Sequence, residues 1–300
     1  MNKHKNKKSN WRDNLTGWLL SAPYLIYALI FFLIPLGAAI WLSTMDWNLM
    51  SPDREFVALD NFINLFKDEN VRAAALNSYK YLIPIVILSL IFGLIIALLV
   101  HELPKKIKGV VAVLFVIPYL TSGVATSVVM KYLLSYNSIF NVFLRDKLGL
   151  DIKWLQNPKS AFWIMIMIII WKMGGYYALF ILSGIESISQ DVIDAAKIDG
   201  STGLHKLFNI TLPIITPTLT TVIVMATGLS FGIFTEPFLL TGGGPNKTTT
   251  TWMIEIYYRS FTSFDSGYGA AMAIMSAIQI FITIRLISYL MNKLSKKFGY

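Results

Sequence analysis

Six long apolar stretches alternate with polar segments along this chain of 300 residues. An α-helix needs about 20 apolar residues to cross the hydrocarbon core of a bilayer, and each stretch is long enough. Their approximate bounds are 17–43, 78–100, 109–131, 161–183, 214–240 and 268–291. The pattern predicts an all-α, polytopic membrane protein with about six transmembrane helices, which we number as spans one to six.

The composition agrees with a membrane protein and excludes several kinds of site. Hydrophobic residues make up 55% of the chain and charged residues only 14%, whereas a soluble domain carries about 25% charged residues. The net charge of +9 does not indicate nucleic-acid binding, because the basic residues lie beside the apolar stretches. With no cysteine, the chain cannot form a disulfide, a thiolate metal site or a cysteine nucleophile.

The distribution of basic residues predicts the orientation of the spans. Lys and Arg are dense in the first 16 residues, in the link 101–108 and in the tail 293–300, whereas the segment 44–77 is mainly acidic. Because cytoplasmic segments are enriched in Lys and Arg, both termini are predicted to be cytoplasmic. A signal peptide also begins with a basic segment, but the first apolar stretch is too long for one. Pro23 and Pro35 are expected to kink it.

These patterns divide the chain into four parts. They are a basic cytoplasmic N-terminus at 1–16, the first span with its outer loop at 17–77, a transmembrane core at 78–292 and a cytoplasmic tail at 293–300. In the loops, the apolar positions predict a short helix around 61–66 and two amphipathic pieces at 139–148 and 152–155. Residues 241–267 are predicted to be an outer loop.

The polar segment 189–213, between spans four and five, is too well organised for a plain connector. Ser189 can cap a helix whose first turn contains Asp191, and Gly200 permits a sharp stop at its end. Ser201 or Thr202 can begin a second short helix. The residues that can share or flank one face of the first helix are Val192, Ala195, Ala196 and Ile198. Two short helices with an alanine-lined face predict a docking surface for another protein.

The same segment resembles the "EAA" loop of ABC-importer permeases. Asp194-Ala195-Ala196 match the Glu-Ala-Ala of the family, with Asp in place of Glu, and Gly200 and Leu212-Pro213 follow at the family's spacing. The resemblance implies a cytoplasmic coupling helix that contacts an ATPase. The implied coupling residues are Asp194, Ala195, Ala196, Asp199, Gly200 and Pro213.

Two further motifs resemble the carbohydrate-type permeases, of the maltose or glycerol-phosphate kind. Leu-Thr-Gly-Gly-Gly-Pro at 240–245 follows Phe234 and Glu236, and Gly-Tyr-Gly-Ala-Ala at 267–271 opens span six. From the residues alone, the three glycines predict an irregular turn in which backbones approach closely. The resemblance implies a sugar or oligosaccharide importer in the bacterial plasma membrane. The implied partners are a second homologous permease, an ABC ATPase dimer and an extracytoplasmic solute-binding protein.

The chain itself is predicted not to be an enzyme and to hold no cofactor. It contains no Gly-Lys dipeptide and therefore no phosphate-binding Walker loop, so ATP and Mg are expected on the partner ATPase. The three histidines, His4, His101 and His205, are scattered, and no catalytic cluster or zinc motif is visible. This argues against a membrane-embedded enzyme.

Sugars are bound by aromatic faces and by hydrogen-bonding groups, and the spans contain candidates for both. The candidate substrate-path residues are Trp171, Tyr176, Tyr177, Phe231, Phe234 and Glu236. The competing interpretation is that the aromatic residues are packing or interfacial groups, and that Glu236 has a structural role such as capping or pairing with a partner subunit. Four basic residues also fall inside or at the ends of spans: Lys80, Lys131, Lys172 and Arg285. Lys80 and Lys131 are expected to snorkel, and Arg285 to reach an interface or pair with another subunit.

Two other functions stay open at this point. An ion-gradient-driven secondary transporter would be expected to show buried carboxylates and an internal repeat, and only Glu236 is a candidate in the second half. An ABC permease for another solute class, such as amino acids or ions, lacks support from the Gly-Gly-Gly-Pro motif. The sequence does not identify the sugar.

Overall fold

The computed structural model describes residues 11–297, with side chains from 15 to 296. The basic residues before position 11 and the last three residues lie outside the described part, so the predicted N-terminal segment and tail are only partly covered. The division of the chain into four parts at residues 16, 77 and 292 stays a prediction.

The described chain is mainly helical. Its helices are α1 Trp11–Ala28, α2 Ile34–Ser43, α3 Asp60–Leu65, α4 Glu69–His101, α5 Lys105–Leu120, α6 Gly123–Leu133, α7 Ile139–Leu148, α8 Pro158–Glu186, α9 Gln190–Ile198, α10 Gly203–Lys206, α11 Leu212–Ile214, α12 Thr216–Phe231, α13 Thr235–Thr241, α14 Trp252–Tyr257 and α15 Ser266–Lys297. Single π-helical turns lie at Leu29–Leu33, Leu207–Thr211 and Tyr258–Thr262. Strands β1 Met45–Asp46 and β2 Glu55–Phe56 form a small antiparallel hairpin.

Within residues 11–297, five helical segments are long and apolar enough to cross a membrane. They are Leu15–Ser43, Glu69–His101, Pro158–Glu186, Thr216–Thr241 and Ser266–Lys296. The pair α5 and α6 makes a sixth if it counts as one span, and the two helices are bent by 81°. The predicted all-α fold with about six spans is therefore confirmed.

The predicted continuous helix over 109–131 is wrong, because span three is broken. Pro118 lies in the last turn of α5, and Thr121 after it has an extended backbone with ψ 146°. Ser122 then starts a new helix, since its Oγ accepts a hydrogen bond from the backbone N–H of Ala125 at 3.4 Å. The motif Pro-x-x-Thr-Ser thus ends one helix and begins another within the span.

Span two begins nine residues earlier than the predicted residue 78. The Asp68 side chain accepts a hydrogen bond from the Asn70 N–H at 2.8 Å and so caps α4. The polar residues Asn77 and Ser78 suggested a loop boundary, but both belong to α4 and their side chains are buried in the bundle. Asn77 Nδ2 donates to the carbonyl oxygens of Lys247 and Thr250, at 2.7 and 3.0 Å. Asn77 therefore joins α4 to the loop after α13, whereas Ser78 Oγ donates to the Ala74 carbonyl of its own helix at 2.9 Å.

The core of the bundle lies between α4, α8 and α12. Gly93 on α4 allows a close approach, since a Cβ there would stand 3.3 Å from Ile181 Cδ1 and 3.4 Å from the Ala178 nitrogen on α8. On the other side of α8, Gly175 contacts the backbone of Phe115 on α5, where no Cβ would fit. These glycines allow α4 and α5 to lie close to α8, as small residues do in membrane bundles.

The loops match the predictions in part. The short helix α3 and the amphipathic helix α7 are confirmed. The predicted amphipathic piece at 152–155 is not a helix: Asn141 Nδ2 donates to the Ile152 carbonyl at 3.0 Å, and Trp154 Nε1 donates to Asn141 Oδ1 at 3.2 Å. These bonds hold an irregular segment against α7. The segment 241–267 is not only a loop, because it contains α14, whose Trp252 is buried.

Candidate coupling loop and intramembrane ion pair

The segment between spans four and five contains the predicted first helix, α9, with the predicted end. Ser189 occupies the N-cap position, but its side chain makes no capping hydrogen bond. At the other end, the Gly200 N–H donates to the Lys197 carbonyl at 3.0 Å and the Ser201 N–H donates to the Ala196 carbonyl at 2.9 Å. This pair of bonds is a Schellman motif, and it requires the left-handed conformation that Gly200 adopts at φ +70°.

The second half of the segment is a chain of short helical pieces. Thr202 is the N-cap of α10, again without a side-chain hydrogen bond. The chain continues through a π-helical turn into α11, where Pro213 is buried. Thr216 Oγ1 donates to the Leu212 carbonyl at 3.0 Å, so the loop passes into span five with little interruption.

The two halves of the segment enclose a groove of about 510 Å³. One wall is a single face of α9, and the other comes from the π-helical turn and α11. The residues of the groove are Val192, Ala195, Ala196, Asp199, Phe208, Asn209, Ile210, Pro213 and Ile214. Ile198, which was expected on the flank of this face, is 87% exposed and does not line the groove.

Four of the predicted coupling residues therefore come together in this groove, namely Ala195, Ala196, Asp199 and Pro213. Asp194 does not line it, because its carboxylate accepts hydrogen bonds from Lys197 Nζ at 2.9 Å and Gln190 Nε2 at 3.0 Å along the exposed side of α9. The hydrogen bond from Lys197, followed by that from Gln190, lowers the pKa of Asp194. Gly200 also lies outside the groove, with open space where a Cβ would be.

A second site lies within the spans, where Lys172 and Glu236 form an ion pair. Lys172 Nζ donates to Glu236 Oε1 at 3.0 Å, and only 9% and 13% of the two side chains are exposed. Lys172 is the central residue of α8, and Glu236 lies in the first turn of α13. Glu236 was expected to cap a helix, pair with another subunit or line the path, but its charge partner belongs to its own chain.

The sequence did not reveal this pairing, although a signal was available. Lys172 is a charge at the centre of an apolar span, where an unpaired charge costs about 2.5 to 3.5 kcal/mol. The next span along the chain carries Glu236 as its acidic residue. Opposite charges in consecutive spans therefore predict a pair when the two spans are neighbours, and α8 and α13 do make contact.

The aromatic path candidates lie in different surroundings. Phe234 and Glu236 line a cavity of about 170 Å³ together with Lys172. Tyr176 stacks on Tyr119 with ring centres 4.3 Å apart, whereas Tyr177 is buried in the core cluster between α4, α8 and α12.

The two remaining candidates lie apart from that cavity. Phe231 is fully buried beside Trp252, and its ring meets the Tyr79 ring edge-on at 5.7 Å. Trp171 is 41% exposed on α8. The structure thus unites Phe234 with Glu236 at one cavity, and the path role of all six residues stays a prediction.

The glycine-rich motif after span five is a tight, well-packed turn. Gly242 and Gly243 have φ of +62° and +91°. A Cβ on Gly243 would stand 2.7 Å from the side-chain oxygen Thr250 Oγ1, and the Thr249 N–H donates to the Gly243 carbonyl at 3.2 Å, so the turn packs closely against the segment that follows it. Thr249, Thr250 and Thr251 behind it are buried, and Thr251 Oγ1 donates to the Ile233 carbonyl at 2.7 Å.

Sequence comparisons identify relatives over most of the chain. A model of the family described as "Binding-protein-dependent transport system inner membrane component" matches residues 89–296. The probable ABC transporter permease protein YesP of Bacillus subtilis is 32% identical, with 93% of this chain and 92% of that protein covered. The trehalose/maltose transport system permease protein MalF of Thermococcus litoralis is 27% identical, with 93% and 95% covered.

Solved structures share the same fold. The crystal structure of a bacterial alginate ABC transporter in complex with an alginate pentasaccharide-bound periplasmic protein contains a chain that matches with a TM-score of 0.82 at 24% identity. The match covers 95% of this chain and 98% of that one. The six-span layout, the loop between spans four and five and the family match agree: this chain is a multi-pass membrane protein that belongs to the family of binding-protein-dependent transport system inner membrane components.

Proposed function

We propose that this chain is a permease subunit of an ATP-driven importer for a sugar or oligosaccharide. The observation that carries the proposal is the segment 189–213, an exposed helix and groove whose residues match the coupling loop of ABC permeases. The sugar is supported by relatives named for the transport of trehalose/maltose, multiple sugars and sn-glycerol-3-phosphate. All three cover at least 86% of this chain.

The proposed partners follow from what the chain lacks and what it exposes. ATP and Mg belong on a separate ABC ATPase dimer, because this chain has no phosphate-binding loop. The groove beside α9 is the surface that the ATPase contacts. A second, homologous permease completes the membrane part, and an extracytoplasmic solute-binding protein delivers the sugar. The N- and C-termini face the cytoplasm, on the side of the basic segments.

In the proposed mechanism, closure of the ATPase dimer displaces α9 as a nearly rigid lever. The Schellman motif at Gly200 and the continuous passage of α11 into α12 transmit that displacement to span five. Spans three to six then rock between inward-open and outward-open states, which is a two-state domain motion.

Purification from mild detergent followed by reconstitution into liposomes tests the proposal. We expect an ABC ATPase and a second six-span permease to co-purify, and sugar uptake to require ATP and a binding protein. A chain that transports alone, without ATP and under an ion gradient, would instead favour a secondary transporter. The buried Glu236 is the one observation that suits that second candidate.

A further inference from the structure

The Lys172–Glu236 pair lies where two broken spans meet an unbroken one. Span three breaks between α5 and α6, and span five breaks at residues 232–234 between α12 and α13. The second halves of both spans, α6 and α13, pack against each other, and α13 also contacts α8. Lys172 reaches this junction from the centre of α8, and Glu236 from the first turn of α13.

Helix α6 comes close to the ion pair at Gly123, where the missing side chain leaves room for Lys172. A Cβ at this position would stand 3.2 Å from Lys172 Nζ, 3.4 Å from Thr235 Cγ2 and 3.8 Å from Glu236 Oε1. One short helix therefore approaches the pair through a glycine, while the other two elements each contribute one of the charges. The three elements meet within a few ångströms.

The pair is costly to separate in these surroundings. Both side chains are largely buried, and each charge has the other as its partner at 3.0 Å. Removing the partner of a buried charge leaves that charge uncompensated in an apolar environment, which is strongly unfavourable. A contact of this kind persists through a conformational cycle more readily than the contacts at the irregular residues 121–122 and 232–234.

We propose that Lys172 and Glu236 form a permanent clamp that holds α6 and α13 to α8 as one unit throughout transport. The breaks at 121–122 and 232–234 absorb the changes in angle, and the clamp keeps Phe234 and the cavity of about 170 Å³ in place. Lys172 and Glu236 are then positioning residues. This inference rests on the proposed transport function.

A disulfide between α6 and α13 tests the clamp. The chain has no cysteine, so the variant Gly123→Cys/Thr235→Cys carries only the intended pair. A Cβ at position 123 would stand 3.4 Å from Thr235 Cγ2, which is one bond from the Thr235 Cβ, and the Cβ atoms of a disulfide stand about 3.5–4.5 Å apart. The reconstituted complex is assayed for ATP-dependent sugar uptake before oxidation, after oxidation and after reduction, with each single-cysteine variant as control.

Because α6 and α13 are expected to move together, oxidation should leave uptake within about twofold of the reduced sample. Uptake that is lost on oxidation and restored on reduction would overturn the clamp. Absence of uptake in the wild-type complex would instead overturn the proposed function, so the two failures are distinguishable.

A second set of variants covers the case in which the cysteine pair does not fold. Lys172→Met and Glu236→Leu each leave a buried charge unpaired and should lower uptake by roughly tenfold or more. The double variant replaces the ion pair by an apolar contact and should recover most of the uptake, because well-packed apolar groups can substitute for a buried pair. If the double variant is as inactive as the single ones, the charges themselves act in transport and the clamp is wrong.

Discussion

Gly200 is restricted by its backbone conformation and not by lack of space. Its φ of +70° is unfavourable for any residue with a Cβ, yet nothing lies within 4 Å of the place where that atom would be. Gly149, which ends α7, has the same properties: its φ is +66° and its surroundings are open. The chain therefore supplies a matched control for any substitution at Gly200.

We expect Gly200→Asp to abolish sugar uptake while the protein remains in the membrane. The Asp side chain strains the Schellman motif by about 1 kcal/mol and alters the end of the lever helix α9. Gly149→Asp should cost a similar amount of stability and leave uptake near the wild-type level. Normal uptake by Gly200→Asp would refute the lever mechanism.

Gly175 and Gly228 form a second pair, and here space is the variable. Gly175→Ala places a Cβ against the backbone of Phe115, which cannot move aside as a flexible side chain can. We therefore expect overpacking to lower the free energy of unfolding by about 1–3 kcal/mol or more. Gly228 lies inside α12, and nothing is within 4 Å of the place where its Cβ would be. Gly228→Ala should therefore raise the free energy of unfolding by up to about 1 kcal/mol, because Ala has the higher helix propensity. Thermal unfolding of the purified chains in detergent measures both. Equal melting temperatures for the two variants would contradict the close contact between α5 and α8.

At the scale of elements, Asp68 joins three of them at one end of the bundle. It caps α4, accepts a hydrogen bond from Arg259 Nη2 at 2.8 Å and another from the Tyr268 hydroxyl at 3.1 Å. Burial alone would raise the pKa of Asp68. The hydrogen bonds from the Asn70 N–H and Tyr268 and the charge of Arg259 outweigh that effect, so its pKa is lowered.

Asp68→Asn should therefore lower the free energy of unfolding by about 1.5–3 kcal/mol at neutral pH, the usual range for hydrogen bonds to a charged group. The stabilisation is present above the ordinary pKa of 3.8 and is lost as the pH falls through the lower, folded-state pKa. The melting temperatures of wild type and variant should differ at neutral pH, and the difference should shrink once the pH falls below the ordinary pKa of 3.8 and through the folded-state pKa. A constant difference would show that the charge of Asp68 does not matter.

The elements also differ in how far the sequence could predict them. The apolar runs that became α8 and α15 were recognised because their length alone identifies a span. The break in span three was missed, since Pro118 by itself is tolerated in membrane helices and only the cap formed by Ser122 separates α5 from α6. The start of α4 was missed because the polar residues Asn77 and Ser78 suggested a loop. In the structure, Asn77 donates a hydrogen bond to a distant carbonyl and Ser78 donates one to a carbonyl of its own helix, so both are accommodated inside α4.

The same limit applies to the candidate sites. The face of α9 followed from helical spacing, and Val192, Ala195 and Ala196 do line one groove. The ion pair did not follow, because Lys172 and Glu236 are 64 residues apart and their meeting depends on which spans are neighbours. Local patterns predict local faces, while contacts between spans need the packed structure.

At the scale of the whole molecule, the absence of cysteine makes the orientation directly measurable. Lys197→Cys in the coupling loop and Asp53→Cys in the first loop both place a thiol at an exposed position. With the termini in the cytoplasm, a membrane-impermeant maleimide added to intact cells should label Asp53→Cys and spare Lys197→Cys. Inside-out vesicles should give the opposite result. Labelling of Lys197→Cys from outside would reverse the proposed topology.

The length of α4 has a consequence for the shape of the protein at the membrane surface. A helix of 33 residues is about 50 Å long, while the hydrocarbon core is about 30 Å thick. A tilt large enough to bury it all exceeds the usual range of about 0–40°. One end must therefore extend beyond the hydrocarbon core, and the polar end that begins with Glu69 and is anchored by Asp68 is the one suited to do so. We expect this end, together with α3, α14 and the β1–β2 hairpin, to project beyond the hydrocarbon core and to offer a soluble protein a contact surface away from the lipid tails.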